Sequence, residues 1–150
     1  MSEQDFLIIT LDKQIFAIET KYIYQLISIV NINQIDTELN YLKGMINFHG
    51  ENIPVIDLSL KIKIENPISI DINSSMVIIE YNNKKNGLVF SEVIGIEKID
   101  TSNIVTKNRE LYKFKNYIYG VIDIKNLKKV DKMKYDCTNC FLLSIDKIIS

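Results

Sequence analysis

The sequence predicts an all-β protein, and two observations carry this prediction. Isoleucine accounts for 29 of the 150 residues, whereas alanine occurs once, at Ala17. Isoleucine is stiff at χ1 and suits a pleated sheet, whereas alanine is the strongest helix former. Short apolar segments also recur along the chain, separated by turn residues. This spacing favours one or two small antiparallel β-barrels.

The first quarter of the chain predicts a hairpin followed by an ambiguous segment. The stretches DFLIITL and QIFAI are separated by DKQ and predict two paired strands. In ETKYIYQLISIV, Tyr22, Leu26 and Val30 would share a helical stripe, but the β-branched and aromatic content also permits a strand. The stretch DTELNYL predicts one helical turn, which Asp36 or Thr37 can cap.

A second hairpin is predicted for LKGMINFHGENIPVIDL, which covers residues 42–58 and contains the chain's only histidine, His49. The strand KGMINF leads through the turn HGEN into IPVIDL. Alternation places Gly44 and Phe48 on one face of the first strand and Asn47 and His49 on the other.

The rest of the chain repeats this pattern of short strands. Residues 65–75 are the predicted connector between two β-barrel subdomains of a single domain, residues 1–150. MVIIEY and GLVFSEV flank the polar turn NNKKN, and IGIEKI and YIYGVIDI follow. The last predicted strand is FLLSIDKII. It follows a lysine-rich stretch that Asp131 and Asp136 interrupt, so a solvated loop is the favoured interpretation.

Composition argues against several classes of function. Formal net charge is −1 and the only arginine is Arg109, whereas nucleic-acid binders usually combine a basic charge with several arginines. The first residues lack the basic region of a signal peptide, and no segment approaches the ~18 apolar residues of a membrane span. We therefore expect no nucleic-acid partner, no membrane insertion and a cytoplasmic location with reduced cysteines.

Candidate catalytic groups are few. A zinc or thiol site would have to combine His49 with Cys137 and Cys140, whose C-x2-C spacing is weak evidence without a second pair. Neither a phosphate-binding glycine loop nor a nucleophile elbow occurs. A metal- or thiol-dependent enzyme therefore remains a disfavoured alternative. The favoured class is a non-enzymatic binding module that uses sheet edges and apolar grooves.

Several segments together resemble CheW, the bacterial chemotaxis adaptor family. YLKGMINFHGENIPVIDLSLKI resembles the family segment G-V-I-N-L-R-G-x-V-I-P-V-I-D-L. DFLIITLDKQIFAIETKYIYQLISI is similar to the family's opening strands, and MVIIEYNNKKNGLVFSEVIGIEKI to its V-V-G-L-V-V-D-x-V hairpin. YIYGVIDI and FLLSIDKII resemble its closing strands.

This resemblance implies a fold and a function. The implied fold is two small five-stranded antiparallel, SH3-like β-barrels packed together, with a short helical turn or two. The implied function is scaffolding without a cofactor: the adaptor joins the cytoplasmic tips of chemoreceptors to the regulatory domain of the CheA histidine kinase, at membrane-associated receptor arrays. The receptor tip would lie in a groove between the barrels. A CheW-like module for another signalling pathway is the alternative.

Two departures from the family pattern fall on positions that face each other in the family. Gln25 stands at a position that usually carries glutamate, and His49 replaces the arginine of N-L-R-G. A glutamine amide and a neutral imidazole can hydrogen-bond in place of an ion pair. The partner-binding residues implied by the resemblance are Ile23, Gln25, Gly44, Asn47, His49 and Ile96.

Overall fold

The computed structural model describes residues 2–107, 113–114, 116–135 and 137–149. Ten strands and two short α-helices are named here in chain order. They are β1 (Glu3–Leu11), β2 (Gln14–Glu19), β3 (Ile23–Ser28), β4 (Leu42–Phe48), β5 (Glu51–Asp57), α1 (Leu58–Lys61), β6 (Ser75–Tyr81), β7 (Lys84–Phe90), β8 (Glu92–Asp100), β9 (Ile118–Asp123), β10 (Asn139–Leu143) and α2 (Ile145–Ile149). Single 3-10 turns span Thr20–Tyr22, Thr101–Asn103 and Ile124–Asn126.

The strands form two five-stranded sheets, which confirms the predicted β-rich fold class. The first sheet has the order β8-β1-β2-β10-β9 and the second the order β3-β6-β7-β5-β4. The pairing is not purely antiparallel, because β10 runs parallel to β2 and β5 runs parallel to β7. No hairpin joins either of these pairs, so no tight turn forces the antiparallel direction.

The predicted connector does not join the two sheets. Residues 65–75 lie between α1 and β6, and the strands on both sides, β5 and β6, belong to the second sheet. The chain instead passes from the first sheet to the second after β2 and returns after β7. Local composition could not reveal this, because strand membership depends on pairing over long sequence distances. That residues 1–150 form a single domain stays a prediction.

The inner strands of each sheet are buried on both faces, which accounts for their isoleucine-rich sequences. On β1, Leu7, Ile9 and Leu11 point into a core shared with the second sheet, where they meet side chains such as Val77 and Phe90. The alternate residues of β1 point into a separate core of the first sheet. A third core, around Met76 and other side chains, belongs to the second sheet. The two sheets are therefore joined by a large apolar interface.

Three local predictions needed correction or resolution. The ambiguous segment becomes a 3-10 turn followed by strand β3. Residues 36–42 form no helix; the Thr37 hydroxyl instead accepts a hydrogen bond from the Leu39 N–H at 3.1 Å. The last strand ends at Leu143 and the next residues form α2, whose Ile145 and Ile148 are buried at helical spacing.

Asp57 fixes the end of the second hairpin and the start of α1. Its carboxylate is buried and accepts hydrogen bonds from the Ser59 N–H at 3.0 Å, the Leu60 N–H at 3.3 Å and the Ser59 hydroxyl at 2.6 Å. The same hydroxyl accepts a bond from the Ile68 N–H at 3.1 Å. One carboxylate thereby caps α1 and ties the following segment to β5.

We expect Asp57→Ala to lower the free energy of unfolding by about 2–3 kcal/mol, because it removes a cap and leaves buried donors unsatisfied. Asp57→Asn keeps an acceptor oxygen and should cost about half as much. Asp123→Ala is the matched control, since that residue caps an exposed turn through one N–H. Urea denaturation measures the free energy of unfolding of all three variants. Equal losses of stability for Asp57→Ala and Asp123→Ala would contradict the role of Asp57 as a buried cap.

Candidate functional site

The margin between the two sheets is bounded by two edge strands, β3 of the second sheet and β8 of the first. Leu26 on β3 pairs with Val77, and Val93 on β8 pairs with Ile9. Val77 and Ile9 are both buried in the core between the sheets. Since cross-strand partners point to the same face, Leu26 and Val93 extend that core to the surface.

These side chains line an open groove of about 390 Å³, to which Ile29 and Ile72 also contribute. Leu26 is 45% exposed, Val93 is 36% exposed and Ile72 is 90% exposed. Ile96, a predicted contact residue, pairs with the buried Leu7 and is half exposed, so it lies on the same face further along β8. Ser28, Ser74 and Ser75 also line the groove, so it offers a protein partner apolar side chains beside hydroxyl groups. We call it the inter-sheet groove.

A second feature, the aromatic patch, lies where β3 approaches the end of β4. It consists of Tyr24, Phe48 and His49. The rings of Tyr24 and Phe48 are 6.3 Å apart, and those of Phe48 and His49 are 4.2 Å apart, both edge to face. The Lys85 ammonium lies 4.7 Å from the Tyr24 ring centre. It also pairs with Glu51 and Glu80, each at 3.4 Å, which holds the cation in place.

His49 is a turn residue. Its φ is +51° and that of Gly50 is +84°, the combination that a tight two-residue hairpin turn requires. The Asn47 side-chain oxygen accepts a hydrogen bond from the Gly50 N–H at 3.2 Å and stabilises the same turn. Gln25 is exposed on β3, and among the described residues no hydrogen bond joins it to His49. The imidazole contacts Phe48 instead.

Two other predicted contact residues lie deeper. Ile23 pairs with Ile79 and packs against the core between the sheets. Gly44 is buried, and a Cβ built on it would lie 2.1 Å from the Asn33 carbonyl oxygen. Asn33 and Met45 exchange two backbone hydrogen bonds of 2.8 and 2.9 Å. At Gly44, the close approach is thus made by the chain's own backbone.

The residues predicted from the sequence did not include three that line the groove, Leu26, Val93 and Ile72. Alternation along β3 was a usable signal for Leu26, because its neighbours Gln25 and Ile27 lie on the other side of the strand. Which apolar residues of β8 stay exposed could not be predicted. That depends on β8 being a sheet edge.

The groups of the alternative enzyme hypothesis are not brought together. His49 follows a strand of the second sheet, whereas Cys140 lies on β10 of the first. Within the described ranges, no three histidine, cysteine or acidic side chains are arranged to hold a metal ion. Cys140 is fully buried, and this burial raises the pKa of its thiol well above the usual value.

Thiol reactivity should therefore distinguish the two cysteines. At pH 8, we expect a native sample to react with a thiol reagent at Cys137 alone, since Cys140 stays protonated and shielded. Both should react in guanidinium chloride. The count of reacted thiols by mass spectrometry, with Cys137→Ser as control, measures this. Rapid modification of native Cys137→Ser would contradict it.

No helix among the described residues is both long and apolar enough to cross a membrane.

Comparison with known proteins identifies the family. The family model of the CheW-like domain matches residues 5–150. The chain belongs to the CheW-like domain family. The family resemblance in the sequence is thus confirmed over nearly the whole chain.

One curated relative and one solved structure of the CheW-like family show how the chain compares. The Chemotaxis protein CheW of Klebsiella aerogenes is 24% identical over 101 residues, 67% of this chain. That alignment spans 60% of the length of the Klebsiella protein. The crystal structure of the scaffolding protein TtCheW from Thermoanaerobacter tengcongensis matches with a TM-score of 0.79 at 19% identity, covering 96% of this chain and 90% of that one. The chain therefore shares its fold with TtCheW.

Proposed function

We propose that this chain is a chemotaxis adaptor that joins the cytoplasmic tips of chemoreceptors to the regulatory domain of a CheA-type histidine kinase. It would act without catalysis or a cofactor, in the cytoplasm, at the membrane-associated receptor arrays. The proposal rests on the family and on one feature of this structure, the inter-sheet groove.

The groove suits a helical partner. Leu26 and Val93 come from opposite walls and both continue a buried core, so a helix laid between them would extend apolar packing already present. Each of these side chains has a third or more of its surface still exposed, and covering that surface contributes about 25 cal/mol per Å². We therefore assign the receptor tip to the groove, and the kinase to other surfaces of the two sheets.

The aromatic patch supports a role in partner choice. His49 and Gln25 replace the charged residues expected from the family, and the ring of Tyr24, next to Gln25 on β3, lies 4.7 Å from the Lys85 ammonium. An exposed ion pair contributes only about 0–1 kcal/mol to stability, so its loss leaves the fold intact. At an interface, losing one charge of a buried pair can cost several kcal/mol. The paired replacement would match a particular receptor or kinase.

The alternative is a CheW-like module for another signalling pathway, with the same groove and a different helical partner. Co-sedimentation with membranes that contain receptors from the same genome, with and without the kinase, separates the two. Retention of both chain and kinase in the pellet is expected. If the chain binds neither receptor nor kinase, the adaptor function is wrong.

The double variant Gln25→Glu, His49→Arg tests partner choice in the same assay. It should shift affinity among the receptor or kinase paralogues by about tenfold, the effect of 1.4 kcal/mol. Unchanged affinity for every paralogue would exclude these positions from specificity.

A further inference from the structure

The most unevenly charged part of the described chain is residues 125–134, which we call the basic lobe. It contains five lysines and one acid, Asp131, whereas the rest of the sequence has 13 basic and 18 acidic residues. All five lysines are exposed. A strongly positive lobe thus stands on an otherwise acidic protein.

The basic lobe has a fixed conformation. Leu127 and Val130 are buried in the core of the first sheet and anchor it. The Glu97 carboxylate on β8 is buried and accepts hydrogen bonds from the Lys128 N–H at 3.0 Å and the Lys129 N–H at 2.5 Å. Because these bonds use backbone groups, both ammonium groups stay available. A preorganised loop loses little conformational entropy when a partner binds.

The five lysines differ in whether other groups of the protein interact with their ammonium groups. Lys125 lies 4.0 Å from Asp123, and the Lys132 ammonium donates to the Leu127 carbonyl at 2.9 Å. For Lys128 and Lys129 no carboxylate within salt-bridge distance is found in the described ranges. An anionic partner would supply carboxylates to these two ammonium groups.

Other features narrow the chemistry of the partner. Met133 lies between Lys132 and Lys134 and is 95% exposed, so an apolar contact is offered inside the charged surface. The lobe has no arginine, and the rest of the chain is acidic and would repel an extended polyanion or an anionic bilayer. A compact acidic segment with apolar side chains avoids this repulsion.

We propose that the basic lobe is an interaction surface for an acidic protein segment, with Lys128 and Lys129 contacting its carboxylates and Met133 an apolar side chain. This surface shares no residue with the inter-sheet groove, and the inference does not depend on the receptor or kinase partners.

The proposal can be tested by titrating the full chain with two ten-residue peptides. One peptide contains glutamate only, and in the other two of the glutamates are replaced by leucine. Backbone amide NMR shifts should change within residues 125–134, and the leucine peptide should bind more tightly. Lys128→Gln with Lys129→Gln should weaken binding about tenfold, whereas Lys128→Arg with Lys129→Arg should preserve it. Met133→Ser should remove the advantage of the leucine peptide.

The matched control is Lys13→Gln with Lys84→Gln, which removes the same charge from two exposed hairpin positions. An equal loss of affinity in this control would overturn the proposal, because the effect would then follow net charge alone. Tighter lobe-dependent binding to phosphatidylglycerol vesicles or to a 20-base-pair DNA duplex would also overturn it. Amide NMR shift changes spread over the whole surface of the protein would overturn the proposal as well.

Discussion

Gly44→Ala is expected to lower the free energy of unfolding by about 3 kcal/mol or more. The added Cβ would lie 2.1 Å from the Asn33 carbonyl oxygen and 2.9 Å from the Ile32 side chain. Asn33 is held by two backbone hydrogen bonds to Met45, so it can move only by breaking them. The Gly44 φ of +146° adds strain for any residue with a Cβ.

Gly50→Ala is the matched control for this prediction. Gly50 also has a positive φ, +84°, but nothing lies within 4 Å of a Cβ built there. Gly50→Ala should lower the free energy of unfolding by only about 1 kcal/mol, because the new side chain strains the backbone but meets no neighbouring atom. Thermal unfolding should show a decrease of about 10 °C for Gly44→Ala and a few degrees for Gly50→Ala. Equal decreases would mean that the Asn33 contact does not constrain β4.

Leu26→Glu is the second large prediction, and its effect is on binding. A carboxylate in the inter-sheet groove would have to be desolvated beneath an apolar helix face, which we expect to weaken receptor-tip binding about 100-fold or more. Stability should change by less than about 0.5 kcal/mol, because Leu26 is half exposed in the free protein. Isothermal titration with a soluble receptor-tip hairpin measures the affinity.

Leu39→Glu is the control, because Leu39 is 48% exposed but lies on the loop before β4. This variant adds the same charge outside the groove, and its affinity for the receptor tip should stay within about twofold of the wild-type value. If Leu39→Glu weakens binding as much as Leu26→Glu, the groove is not where the receptor tip binds. The same loss in both variants would then reflect charge alone.

The fold was predictable because its signals are local. The turn at His49–Gly50 and the family segment around Gly44 are both determined by residues that are neighbours in the chain. The assignment of strands to sheets was not predictable, since β8 joins β1 across more than eighty residues of chain. The misplaced connector at 65–75 follows from that limit.

The candidate site was predictable only in part for the same reason. Strand alternation correctly separated the exposed Asn47 from the buried Gly44, but it does not apply to His49, which lies in the turn after β4 with a φ of +51°. The groove depends on two edge strands from different sheets, and no local pattern states which strands are edges. Leu26 and Val93 share a groove because of tertiary pairing. Their role therefore became apparent only from the fold.

The most direct measurement is a binding experiment with both proposed partners present. A receptor-tip hairpin and the kinase regulatory domain are titrated separately and then together against the chain. The adaptor function predicts that each binds, that a ternary complex forms, and that Leu26→Glu loses the receptor tip while keeping the kinase domain. Failure to bind either partner, or displacement of one by the other, would contradict it.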